Sequence, residues 1–165
     1  MIRSLALAAI LLAPLQAAAL SCSPPPLAHD TINAVAETSG AWVIGIGTMK
    51  QVSGGTRKAE TTDGRFTTTQ TYRFEGVLLR PGKPDQPIKT DVVATSCEGL
   101  WCPGPWNLKT GSEYLMVFDA HADQLTLSSG LCGGSLVISL TGPEHRARVA
   151  ACAQTSTCTR ADLAR

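Results

Sequence analysis

The sequence predicts a mainly β fold: a small five-stranded barrel stapled by disulfides, with a short helix before it and a C-terminal helix after it. Three observations predict it. Short runs rich in Thr, Val, Leu and Ile are separated by Gly- and Pro-bearing turns, as in all-β domains. Six cysteines follow an export signal, and an even number in that setting reads as three disulfides. Glycines fall inside the clearest strand, where a coiled sheet or a close neighbouring chain requires them.

The N-terminal segment reads as a signal peptide. Arg3 is its one charge, Leu5 to Leu15 is almost unbroken apolar sequence, and Ala17, Ala18 and Ala19 supply a small-residue cleavage site. The run is shorter than the roughly 20 apolar residues a membrane-spanning helix needs. Cleavage after Ala19 predicts an exported protein, periplasmic or secreted. Residues 20–165 then form one domain, with the barrel core at about 41–140 and a helix and tail at 141–165. Ala19-Leu20-Ser21-Cys22 loosely resembles a bacterial lipoprotein box, which would place a lipid on Cys22. Two of its three leading positions are off pattern, so cleavage after Ala19 is preferred.

Loss of Arg3 lowers the basic residues from 14 to 13, equal to the 13 acidic ones. A near-neutral chain lacks the basic face that nucleic-acid binders use against phosphate. The arginines at 146, 148, 160 and 165 read as a solvated terminal helix and tail. No later segment is long and apolar enough to span a bilayer, so membrane attachment would require lipidation of Cys22.

The elements follow in order. Ser23-Pro24-Pro25-Pro26 is an extended lead-in, since three prolines remove three backbone donors. Asp30 is placed as the cap of a short helix through Glu37, with Ile32, Val35 and Ala36 on one side and Gly40 ending it. Ala41 to Val52 is the first strand, with Trp42, Ile44, Ile46 and Thr48 on one face. Trp42 is expected in the core. Ser53 to Gly64 reads as a long polar loop, and Thr67 to Leu79 returns as the second strand. Ile88 to Thr95 is the third, Glu113 to Asp119 the fourth and Gln124 to Ser128 the fifth. Ser96 to Gly111 is irregular, and Leu136 to Leu140 a further short strand. Pro143 opens a last helix to about Ala153.

Taken together, several of these pieces resemble the netrin-like module, whose best-known member is the N-terminal domain of tissue inhibitors of metalloproteinases. The matching residues are Cys22-Ser23-Pro24-Pro25-Pro26, Trp42-Val43-Ile44-Gly45, Phe74-Glu75-Gly76-Val77, Cys97, Gly111 through Phe118, and Leu125-Thr126-Leu127 leading to Cys132. Small exported bacterial proteins of this type are similar as well. The resemblance covers roughly residues 20 to 140 and implies an OB-fold-type barrel flanked by helices. It also implies a pairing scheme: Cys22 with Cys132, Cys97 with Cys102, and Cys152 with Cys158, with Cys22 to Cys97 as second choice. Leu20 stands where the animal inhibitors carry the zinc-chelating N-terminal cysteine.

No nucleophile, metal-protease or phosphate-loop motif occurs, and the chain is read as non-enzymatic. Cys97 and Cys102 have four residues between them, not two as in thiol oxidoreductases, and read as structural. No C-x-x-C pair exists and the histidines are scattered, so neither a metal nor a cofactor is expected. Asp119, His121 and Asp123 read as a solvated turn. His29 with Asp30 reads as a helix-start pair, and Glu144 with His145 as exposed first-turn residues.

Three functions compete. The first is a protein-binding module, with a partner that could be a protease, contacting a ridge of Ser21, Cys22, Ser23, Pro24, Glu98, Trp101 and Trp106; the segment from Ser53 could extend that ridge. The second is a metalloendopeptidase inhibitor acting through the mature N-terminus, which requires a start at or next to Cys22. The third is a barrel binding a small ligand or sugar on its strand face, for which Tyr72 is the candidate aromatic.

Overall fold

The computed structural model describes residues 27–37, 42–59, 66–99, 102, 106–121, 124–130 and 133–164. The signal segment, the lead-in with Ser21 to Pro24, Trp101, Asp123 and the pair Cys22–Cys132 lie outside the described residues.

The chain is mainly β with two helices. Helix α1 spans Ala28–Glu37 and buries Ile32 completely, with Val35 and Ala36 packed beside it. It begins two residues before Asp30, which therefore stands in the first turn and is not the cap. There its carboxylate meets the positive end of the helix dipole, and His29 Nε2 lies 3.5 Å away. Strands β1 (Trp42–Ala59), β2 (Phe66–Leu79), β3 (Gln86–Glu98), β4 (Glu113–His121) and β5 (Gln124–Gly130) follow. Two short strands, β6 (Gly133–Gly134) and β7 (Val137–Ser139), precede helix α2 (Pro143–Thr155).

The five longer strands pair in a ring: β1 with β2, β2 with β3, β3 with β5, β5 with β4, and β4 back to β1. All contacts are antiparallel except β3–β5, where Val92 to Thr95 run parallel to Leu125 to Ser128. Each strand of the ring contributes to one buried cluster, through Met49, Phe74, Val92, Phe118 and Leu127 among others. A second cluster lies between the sheet and the helices, with Ile44, Ile46, Leu115 and Val117 facing Ile32 and Val149. Alternate residues of β4 and of the first half of β1 thus enter different cores, which is why Trp42 to Met49 and Tyr114 to Phe118 hold few polar residues.

The glycines of β1 have distinct reasons. A Cβ at Gly45 would sit 2.7 Å from Phe118 Cε2 and 3.1 Å from Phe74 Cζ, so hydrogen there makes room for the edge-on Phe74–Phe118 pair. Gly47 faces Gly76 across the β1–β2 ladder, and a Cβ on either would lie 2.7 Å from the other's Cα. The close approach expected from sequence is real.

Several boundaries differ from the sequence reading. Ser53 to Ala59 is not loop: Thr56 to Ala59 pair with Thr69 to Phe66, after register shifts that absorb Gly54 and Gly55. Every β1 residue from Lys50 onward is exposed, so this arm carries no apolar alternation to reveal it. Ser96 to Glu98 likewise extend β3. Trp42, expected in the core, is 38% exposed, because it stands at the lip of β1 outside both clusters.

Helix α2 starts at Pro143, as the proline predicts, and runs two residues past Ala153. His145, expected to be exposed, is 4% exposed. The N-cap is Gly142, which has no side chain to offer, and the buried His145 ring instead ties down the residue before it. Its Nδ1 accepts from the Thr141 N–H at 3.2 Å and lies 3.1 Å from Thr141 Oγ1. That backbone donor makes Nδ1 the acceptor, so the ring proton belongs on Nε2.

The C-terminal tail is tied back by disulfide and hydrogen bond. Cys152 and Cys158 are bonded, with Cα atoms 4.5 Å apart. Asn33 of α1 donates to Cys158 O at 2.9 Å and accepts from Cys158 N–H at 2.8 Å. Among the described residues no helix is long and apolar enough to cross a membrane. Disulfides of this kind are compatible with an exported protein.

Candidate functional site

Two residues of the sequence-predicted ridge, Glu98 and Trp106, are described, and both sit where β3 runs into the Cys97–Cys102 segment. β3 presents Glu98 opposite Phe66, and Cys97 opposite Thr67, at the start of β2. Cys97 is bonded to Cys102, with Cα atoms 5.3 Å apart. The Cys102 N–H donates to Gly99 O at 3.2 Å, closing a turn in which Gly99 adopts φ 129°. Such a backbone favours glycine. On the other side, the Cys97 N–H donates to Ser129 Oγ of β5 at 3.2 Å. The end of β3, with the Cys97–Cys102 bond, is therefore joined to both β2 and β5.

Glu98 uses both carboxylate oxygens within the chain. One accepts from the Thr68 hydroxyl, and the other lies 3.3 Å from Arg57 Nη2. Arg57 also stacks over the Phe66 ring, 3.9 Å from its centre. Exposed ion pairs of this type contribute about 0–1 kcal/mol, and an exposed cation–π contact about 0.5–1 kcal/mol. Their main effect is positional: the β1–β2 arm is drawn against the root of the loop. Arg57 falls in the stretch from Ser53 that was read as a loop able to extend the ridge, and the structure joins it to Glu98. Nothing in a polar, non-alternating sequence announces that contact.

Trp106 is half-buried. Its indole packs on the cluster shared by the five strands, and Nε1–H donates to Thr95 O at 3.4 Å. Leu108 packs nearby, and the Lys109 N–H donates to Tyr114 Oη at 2.8 Å. The chain leaving the loop is thus laid across the core before β4 begins.

Tyr72, the aromatic that a strand-face ligand site would need, is 3% exposed. Its hydroxyl donates to Gln70 Oε1 at 2.8 Å, and burial pushes its phenol above the ordinary tyrosine range. It is a core residue. Asp119 lies in β4 and His121 closes that strand opposite Gln124, so the stretch read as a turn is still ladder at His121. Arg73 bonds to Asp91 on the outer surface, which holds the Asp91 carboxyl below its usual range. Among the described residues no three of His, Cys, Asp and Glu converge as a metal site.

Comparisons with protein-family models, with curated proteins and with solved structures find no match to this chain.

Proposed function

We propose that this chain is an exported, non-enzymatic protein-binding module built on an OB-type barrel. A five-stranded ring that closes through one parallel pair suits that architecture, as does the Greek-key order of its strands. The contact surface is the ridge made by Ser21 to Pro24 and the segment holding Glu98, Trp101 and Trp106, with the Arg57 arm beside it. Cys22–Cys132 would hold the lead-in against the barrel.

The observation that carries this reading is the fastening of the Cys97–Cys102 segment by a disulfide, by Ser129 and by Glu98 with Thr68 and Arg57. A segment fastened at its root loses less entropy on docking than a free one, and tryptophan is a strong interface anchor. The test starts from the mature protein with its disulfides intact, used to capture exported proteins of its own source. Each partner's affinity is then measured against Trp101→Ala and Pro24→Ala. The reading expects at least one partner to lose about tenfold or more in affinity. Full affinity of every partner for the double variant would discard the ridge.

A further inference from the structure

The exposed Trp42 stands over a cavity of about 340 Å³ at the far end of β1 from the Cys97–Cys102 segment. The volume is within the range of small-ligand sites. Its floor is apolar, from Ile44 and Leu79, both 2% exposed, and from the Val35 side of α1. Its rim is charged on two sides. Glu37 ends α1, while Arg80 and Lys83 flank the turn between β2 and β3. That turn is fixed by sequence: Pro81 and Gly82 occupy its centre, Gly82 has φ 67°, and the Lys83 N–H donates to Arg80 O at 3.1 Å. Both cations are thereby held at one lip, and both are exposed.

We infer that this cavity binds a pyranose ring of a saccharide. Its occupant must offer a flat apolar face to the indole and a rim of groups that both donate and accept hydrogen bonds. Glu37 only accepts, and Arg80 and Lys83 only donate. A purely anionic ligand would meet Glu37 and the negative end of α1, and a cationic one would meet Arg80 and Lys83. Hydroxyls satisfy both sides, and the C–H face of a sugar ring suits the tryptophan. The aromatic at this site is Trp42, whereas Tyr72 is buried in the core. The site is separate from Glu98, whose partner Arg57 lies toward the other end of β1.

The test screens the mature, oxidised protein on an array of neutral, acetamido and uronate oligosaccharides, then titrates each hit by ¹⁵N NMR. The Trp42 indole resonance, identified from its loss in Trp42→Phe, should shift with at least one saccharide. Trp42→Ala should weaken binding about tenfold or more, and Glu37→Gln and Arg80→Gln about fivefold each. Trp42→Phe should retain part of the affinity, and an unchanged ¹⁵N spectrum away from the site shows that the alanine variant is folded. Three results would each overturn the inference: no saccharide bound at about 10 mM, full affinity in Trp42→Ala, or shifts confined to residues near 97–106.

Discussion

Gly45 and Gly47 lie two residues apart on the same face of β1, yet a methyl group added at each should behave differently. At Gly45 the nearest obstacle is a side chain, Phe118 Cε2 at 2.7 Å, with Phe74 Cζ next at 3.1 Å. At Gly47 the obstacles include backbone, the Glu75 carbonyl oxygen and the Gly76 Cα at 2.7 Å. Overpacking against a ring costs about 1–3 kcal/mol, since the ring can tilt. Overpacking against a paired strand forces β1 and β2 apart and should cost about 3 kcal/mol or more. Phe118→Leu removes the first obstacle, with its own loss of about 1–2 kcal/mol. In that background Gly45→Ala should become milder by about 1 kcal/mol, while Gly47→Ala should keep its full effect. Guanidinium unfolding of the three single and two double variants measures both couplings, with unchanged slope as the check on two-state behaviour. A loss of about 2 kcal/mol should lower Tm by roughly 4–8 °C. If Phe118→Leu relieved both alanines equally, or neither, the assignment of obstacles would be wrong.

Other outcomes follow from the same contacts. Asn33→Ala removes both bonds between α1 and Cys158 and should cost about 1–3 kcal/mol, with faster amide exchange in α1 and at residue 158. Unchanged exchange would mean the tail is held otherwise. Removing the Cys152–Cys158 link by a double alanine change should cost about 2 kcal/mol on the chain-entropy model, read from the same unfolding curves. Asp162 accepts from the Thr159 N–H at 2.9 Å and hydroxyl at 2.6 Å, which hold its carboxyl below the ordinary value. Its bonds therefore add stability above the unfolded carboxylate pKa and lose it as pH falls through the lower folded one. Carbon-detected NMR titration should show that midpoint rising in Thr159→Val, and an unmoved midpoint would refute the cause. His145→Ala should loosen the entry to α2, seen as faster amide exchange at Thr141, whose N–H loses its acceptor; unchanged exchange there would refute the contact.

Much of the secondary structure follows from local sequence. Alternation in Ile44 to Met49 and in the second strand, the proline at 143, and the turn residues between Arg80 and Asp85 each act over a few positions, and each element appears where those signals put it. The mainly β class and the two helices rest on the same short-range patterns. Local signals were silent elsewhere. The arm from Ser53 to Ala59 is strand only because β2 runs beside it, and a strand wet on both faces leaves no period to read. The exposure of Trp42 and the burial of Tyr72 and His145 have one reason: hydrophobicity and position in an element do not say which neighbours stand opposite. The parallel β3–β5 pairing, the meeting of Arg57 with Glu98 and the cavity beneath Trp42 join residues far apart in the chain. Those contacts arise only when the ring closes, because closure decides which faces share a core and which residues remain at its lip.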